Sequence, residues 1–284
     1  MPYEGATSGL GIGPIVSIIM GAYNAETTVR AAVDSILAQG FTDWEFIICD
    51  DASTDATLEI CRTYADEYPG RFQILANERN MKLPVTLNRC LAVARGKYIA
   101  RMDADDISIP ERLSKQVAVL DTNADIDLVG TGMQRFDGSE LADVLIAPRE
   151  PNRHTPYKTT PFFHATILAR REVYERIGGY TEAARTARSE DIELWFKFFK
   201  LELVGRNIPE PLYLVRENLA AIKRRSLKVR WNSFRTTVIG YRSLGYPIYW
   251  YYRPVLQLCK GFVPFKVQLW YRHWQKARHE NTSA

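Results

Sequence analysis

The chain has 284 residues, 46% hydrophobic and 25% charged, an ordinary globular balance that allows a sizeable core. Net charge is only +4, but residues 216–284 hold 14 Lys and Arg against 2 Asp and Glu, so an acidic body carries a basic tail. No apolar run of about 18 residues predicts a membrane span, and no basic-then-apolar start marks a signal peptide. The four cysteines are scattered without zinc spacing, which points to a reducing compartment.

Residues 1–13 are rich in glycine and small residues and read as a flexible leader. GLGIG (9–13) precedes the first strand instead of following it, so it is not a dinucleotide loop. IVSIIM (15–20) is an apolar run suited to a buried parallel strand. GAYNAE then turns, with Asn24 placed to cap a helix running to Leu37. WEFIIC (44–49) is a second strand that stops at Asp50-Asp51. A helix follows, with Ser53, Thr54 and Asp55 as capping candidates. FQILAN (72–77) is a third strand, 84–95 a helix with Gly96 as its stop, and KYIARM (97–102) a fourth strand. Beyond it, IDLVGTGMQRF reads as strand, 137–160 as Pro-rich and irregular, and FFHATILARREVYERIGGY as a strand and a helix closed by Gly178-Gly179. SEDIELWFKFF (189–199) is a helix with Glu190 and Asp191 in its first turn.

This alternation predicts an α/β fold, a mostly parallel Rossmann-like sheet flanked by helices. Ligands of such sheets bind beyond the carboxyl ends of the strands. Three loops then point at one crevice: Ala22–Glu26, Asp50–Asp55 and Asp103–Asp106. The stretch RMDADDISIPERL (101–113) crowds Asp103, Asp105 and Asp106 into four positions. Carboxylates at i and i+2 can share a hard divalent cation that also holds a diphosphate. The same spacing is also that of a solvated turn or a helix cap, with Asp106 capping the turn before Pro110 and Glu111 complementing the helix dipole. Asp50-Asp51 has a similar plain reading as a turn, and Glu190-Asp191 as first-turn acids. Convergence of two acidic loops on one crevice favours a site. A carboxylate at the start of the 189–199 helix can then take a proton from an incoming hydroxyl.

The order IVSIIMGAYN, FIICDDASTDAT, GKYIARMDADDISIPERL, GGY and SEDIELW resembles the family 2 glycosyltransferases of bacterial surface polysaccharide synthesis, over residues 14–215. The resemblance implies a GT-A catalytic domain, a UDP-sugar donor, Mn²⁺ or Mg²⁺, and inversion at the anomeric carbon. It places Tyr23 near the uracil, with Asn24 and Glu26 shaping that pocket. It sets Asp51 on the imide of the base beside Asp50, Asp103 toward the ribose, and His164 near the donor phosphates. Asp105, with Asp103, belongs to the metal site, and Asp191 is the catalytic base. For His164 a buried, hydrogen-bonded core position is the alternative. The QxxRW signature of processive synthases is absent, which implies one sugar per encounter.

Residues 216–284 form a C-terminal basic and aromatic extension, read as helical, with 13 of the 33 aromatics. Tyr and Trp among Lys and Arg suit a membrane interface. Packing on the catalytic body, oligomerisation and single-stranded nucleic acid are the other readings, the last least favoured. The resemblance implies a glycan or polyprenol-linked glycan acceptor at the inner face of the cell membrane, in the cytoplasm. Two rivals stand beside it: a non-catalytic nucleotide-sugar or lipid-binding module on the same fold, and a sugar-phosphate nucleotidyltransferase. The second expects a Gly- and Arg-rich loop where this chain has GAYNAE.

Overall fold

A computed structural model describes residues 13–138, 140–216 and 227–259. The expected leader, except for Gly13, and the tail segments 217–226 and 260–284 lie outside the described residues.

Strand β1 (Val16–Ala22) is buried almost throughout. β2 (Trp44–Asp50) lies parallel on one side of it and β4 (Tyr98–Arg101) on the other; β3 (Phe72–Ala76) extends the parallel set beyond β2. Parallel neighbours need long crossovers. These are α1 (Val29–Leu37), α2 (Thr57–Glu67) and α3 (Leu83–Val93). Ala22, Asp50 and Ala76 pair in register, so three strands end level and release their loops at one edge.

Beyond β4 the sheet turns mixed. β8 (Leu168–Arg170) runs antiparallel to β4, and β6 (Leu128–Phe136) antiparallel to β8. β9 (Gly205–Arg216) is parallel to β6 and carries β5 (Ile107–Ser108) at its far end, while β7 (Leu141–Leu145) hangs on β6. Period-two alternation splits the core. Val16, Ile18 and Met20 face α1, α2 and α4 (Arg112–Thr122). Ile19 and Ile47 face α3, α6 (Arg171–Ile177) and α7 (Glu190–Lys200).

Several elements differ from the sequence reading. α1 starts at Val29, because Asn24 is left-handed (φ 49°) and its side chain holds another loop. α2 starts at Thr57, whose N–H and hydroxyl both donate to Asp55. Gly96 is not a helix stop. It lies where the chain crosses β1, and a Cβ there would meet the Ser17 nitrogen at 2.4 Å. β9 escapes the alternation pattern because Pro209 and Pro211 interrupt it. Its register against β6 jumps between Thr131↔Ile208 and Gly132↔Pro211, as prolines without N–H groups require. The irregular span 137–160 holds β7 and the short α5 (Thr155–Lys158).

The described part of the C-terminal extension is helical and packs on the body. It comprises α8 (Leu227–Ser243) and α9 (Tyr252–Cys259), joined through a 3₁₀ turn at Ile248–Tyr251. Ser233 and Ser189 hydroxyls lie 2.6 Å apart, and Thr236 donates to the Arg185 carbonyl. The Tyr241 ring stands edge-on to Phe196, at 5.8 Å. No helix among the described residues is long and apolar enough to cross a membrane.

Gly240 lets α8 approach α7: a Cβ there would lie 2.0 Å from the Phe196 ring. Overpacking of this kind costs about 1–3 kcal/mol. Gly240→Ala should therefore lower the thermal unfolding midpoint by several degrees. An unchanged midpoint would show that α8 is not held against α7.

Candidate active site

The first two loops are zipped together by their own backbones. The Asn24 N–H donates to Ser53 Oγ (3.0 Å), and Asn24 Oδ1 accepts from the Thr54 N–H (2.9 Å). The Glu26 N–H donates to Asp55, and Glu26 accepts from the Ala56 N–H. Asn24 and Glu26 thus shape the loop rather than point away from it. Tyr23, between these anchors and β1, is left half-exposed with its ring available to a ligand. Asp50 and Asp51 are both buried. Asp50 Oδ2 accepts from the Ser53 N–H, and its Oδ1 has no partner. Asp51 accepts from Asn77 Nδ2 (2.6 Å) and from the N–H groups of Met81 (2.7 Å) and Lys82 (3.0 Å). Asp51 therefore ties a third loop, 77–82, to the same edge.

The acidic stretch follows β4. Arg101 is buried, and its guanidinium grips Asp103 with two bonds of 2.5 and 2.6 Å. Burial, the largest single influence, would lower the Arg101 pKa; the charge and hydrogen bonds of Asp103, together with Tyr180 and Tyr213, outweigh it and raise it. The Asp103 N–H donates to the hydroxyl of Tyr213 on β9. Asp106 is buried and accepts from the Arg216 N–H (2.8 Å), while Arg216 Nε reaches the Asp105 carbonyl (3.0 Å). Asp106 thus caps onto β9, not onto the turn before Pro110. The Asp105 side chain opens to solvent. The protein enclosing its flanks, and then the Asp103 charge, still push its carboxyl above the ordinary range. Burial, and then Asp103 and Asp105, do the same to Asp106. Crowded carboxylates of this kind are relieved by a cation.

No cluster of three or more His, Cys, Asp or Glu among the described residues forms a protein-only metal cage. A Mg²⁺-like ion bound by one or two carboxylates and substrate phosphate does not need one. Asp105 fits that role as it stands. Asp103 fits it only by sharing its oxygens with Arg101.

The start of α7 completes the group. Glu190 and Asp191 are half-buried there, and Glu190 Oε2 has no partner. Burial, and then the Asp191 charge, push the Glu190 carboxyl up to about 7. Arg101 and Asp103 also act on Glu190, so this helix end faces the acidic loop. Asp191 lies on the wall of a cavity of about 370 Å³ between α7, the 156–161 segment and the C-terminal helices. His164 Nε2 and the Tyr180 hydroxyl are 2.8 Å apart, and burial, then Arg101, hold the imidazole well below its usual pKa. His164 is therefore neutral and tied to the aromatic wall of Tyr180 and Trp195.

Arg101, Tyr213 and Asn77 were not singled out from the sequence, and Glu190 was named there only beside Asp191 as a first-turn acid. Arg101 had a signal: it stands two residues before Asp103, on the same side of an extended strand. Tyr213 and Asn77 had none, because they reach the site only through β9 and the 77–82 loop.

Zipped loops at a sheet edge, an acidic stretch after the fourth parallel strand and a carboxylate-led helix on a mixed sheet define the GT-A class of transferases. Residues 17–178 match the model of glycosyl transferase family 2, and the chain belongs to that family. It is 43% identical to the glycosyltransferase EpsE of Bacillus subtilis strain 168 over 90% of this chain and 92% of that one. It is 28% identical over 66% of this chain, and 70% of the other, to the Escherichia coli UDP-Glc:alpha-D-GlcNAc-diphosphoundecaprenol beta-1,3-glucosyltransferase WfgD. Among solved structures, S. aureus TarS 1–349 in complex with UDP-GlcNAc superposes with a TM-score of 0.67 at 17% identity, covering 87% of this chain and 71% of that one. The mannosyltransferase PcManGT from Pyrobaculum calidifontis, in complex with GDP-Man and Mn²⁺, gives 0.62 at 18% identity, covering 88% and 74%. These last two likenesses establish the fold.

The folded state holds the Glu190 proton up to about pH 7, whereas an ordinary glutamate releases it near 4.5. Ionising the buried group disfavours the fold, so stability falls as pH rises through that window and stays lower above it. Glu190→Gln removes the penalty. It should raise the unfolding midpoint by a few degrees at pH 8 and leave it nearly unchanged at pH 4.5. A difference independent of pH would contradict the burial of this carboxylate.

Proposed function

We propose that the chain transfers one hexosyl or N-acetylhexosaminyl unit from a UDP-sugar to a hydroxyl of a polyprenol-linked glycan, with inversion, during surface polysaccharide synthesis. The observation that carries this is the shared edge: the acidic loop, the tyrosine-bearing nucleotide loop and the start of α7 all meet beyond β1, β2 and β4. The named substrates of WfgD support the donor and acceptor classes, and the UDP-GlcNAc complex of TarS supports the donor class. The GDP-Man complex of PcManGT makes the base the least fixed part, and UDP rests on the relatives that name it.

Tyr23 offers its ring to the base, and the loops zipped by Asn24 and Glu26 keep that ring in place. Asp50 and Asp51 close the floor, with Asp50 Oδ1 buried and unpartnered. Asp103 faces the ribose, and Asp105, with Asp103, would hold the Mn²⁺ or Mg²⁺ ion. Such an ion neutralises charge on a departing nucleoside diphosphate. His164, neutral and fixed by Tyr180, can offer a hydrogen bond to a phosphate oxygen without adding charge. Asp191 takes the proton of the acceptor hydroxyl as that oxygen attacks the anomeric carbon from the face opposite the leaving group. The bond to the diphosphate breaks in the same step, so an α-linked donor gives a β-linked product. Glu190, titrating near neutrality beside Asp191, keeps a second carboxylate charge away from the base in part of the population. The basic and aromatic extension holds the enzyme peripherally on the inner face of the cell membrane.

Calorimetric titration with UDP, with and without Mn²⁺, tests the donor site. Binding should need the metal, and Asp105→Ala should weaken it by about tenfold or more. Asp191→Asn should leave UDP binding intact and lower transfer by about 10²–10⁴-fold. Full turnover in Asp191→Asn would falsify its role as base, and metal-independent UDP binding would remove Asp105 from the metal site.

A further inference from the structure

The cavity beside Asp191 has a second side that the transfer reaction leaves unexplained. Its lining comes from three separated segments, including Tyr157 and Lys158, Asp191, and Thr237, Arg253 and Gln257 of the C-terminal helices. We propose that this cavity is the acceptor site, and that Arg253 on α9 is the residue that recognises the diphosphate of a prenyl-linked acceptor. The proposal rests on the reading of Asp191 as the group that meets the acceptor hydroxyl.

Arg253 is held as a binding residue would be. Its Nη1 donates to the carbonyls of Tyr157 (3.0 Å) and Lys158 (3.4 Å), and its guanidinium lies 4.4 Å over the Tyr157 ring. The Tyr157 ring in turn stacks on Trp250 at 3.9 Å. The 157–158 backbone and the C-terminal segment therefore fix each other, and the guanidinium is oriented before any ligand arrives. Nη2 has no protein partner among the described residues. A guanidinium offers five donors in a rigid fork that matches phosphate geometry. Lys158 adds a second cation, with no ion pair among the described residues. Among the described residues Asp191 is the sole acid on the wall. A neutral glycan gives this pair of cations nothing to neutralise, whereas a diphosphate does.

The outer side of α9 supplies the lipid argument. Arg253, Pro254 and Gln257 face the cavity. Tyr252, Val255, Leu256 and Cys259 stand at i, i+3, i+4 and i+7 and all are exposed; the Tyr252 hydroxyl turns back to 3.4 Å from the Tyr157 hydroxyl and from Arg253 Nε, and Val255, Leu256 and Cys259 lie on the other face. The preceding turn exposes Ile248 by 80% and Tyr249 by 70%. A continuous apolar stripe thus borders a cationic cavity, the order in which a prenyl diphosphate presents tail and head. The sequence continues in the same chemistry. Residues 260–284 carry five Lys and Arg among five aromatic residues, suited to an anionic bilayer surface. A free phosphate or a soluble glycan would make no use of the stripe.

The experiment titrates the full chain with farnesyl diphosphate and follows tryptophan fluorescence. EDTA is present so that the acidic loop cannot hold the probe through a metal. Farnesol and inorganic diphosphate are the comparisons. Farnesyl diphosphate should bind, and should outdo both comparisons by about tenfold or more. Arg253→Met should remove that advantage over farnesol, and Arg253→Lys should restore part of it. Thr237→Trp, which fills the cavity without touching a charge, should also block the probe; its unfolding midpoint reports that the chain is folded. Equal affinity in wild type and Arg253→Met would overturn the proposal. So would equal binding of farnesol, which would make the contact one of lipid alone. No donor or metal enters this titration. A failed UDP–Mn²⁺ titration with intact farnesyl diphosphate binding would therefore count against the donor reading and not this one.

Discussion

The ion pair between Arg101 and Asp103 is the constraint on which the rest of the site depends. A guanidinium buried at the end of a central strand carries a desolvation penalty of several kcal/mol. Two short bonds to one carboxylate offset it, and they fix where the acidic loop begins. Arg101 also sends its field to Glu190 and His164, raising no charge on the imidazole and moderating the burial of the glutamate. Three regions of the chain are thereby coupled through one cation. Asp103 consequently has two duties. Its removal would strand a buried charge, which typically costs about 3–5 kcal/mol, so lost activity at this position mixes chemistry with stability.

Around that pair, the sheet edge carrying Tyr23 is held mostly by bonds from backbone N–H groups to side-chain oxygens. Asn24, Glu26, Asp51 and Asp55 each use side-chain oxygens to hold the N–H groups of a neighbouring loop. Loops at a sheet edge have no ladder partners, and these carboxylates and amides take the place of one. The result is a rigid rim in which Tyr23 and Asp105 are left facing outward. Pre-organisation of this kind lets binding energy go to the ligand instead of to ordering the loops.

The C-terminal helices change the character of the other half. α8 lies on α7 through Phe196, Tyr241 and the glycine at 240, and α9 closes a cavity that reaches Asp191. The extension is therefore part of the wall around Asp191, and its apolar outer face is a separate surface. One segment can join chemistry to location because a short helix has two faces with different neighbours.

Much of this was legible in the residues. The buried runs at 16–22 and 44–50, the helix spacing between them and the acidic cluster after KYIARM determined the parallel half of the sheet and the edge at which the acidic loops gather. Those are local patterns, set by periodicity and by charge. The motifs DDASTD, MDADD and SEDIELW likewise marked the acids. What the tertiary structure alone decided was which oxygen of each acid is in use. Asp51 is occupied by a loop thirty residues away, Asp50 keeps an unpartnered oxygen, and Asp106 is held by the end of β9. β9 itself was hidden because Pro209 and Pro211 break the alternation, and its pairing with β6 is a long-range event. The same holds for Arg253, which sequence places in a basic tail and packing places beside the proposed base. Spacing along a chain sets faces and turns; only distances between separated segments decide which polar atoms are satisfied and which remain for a ligand.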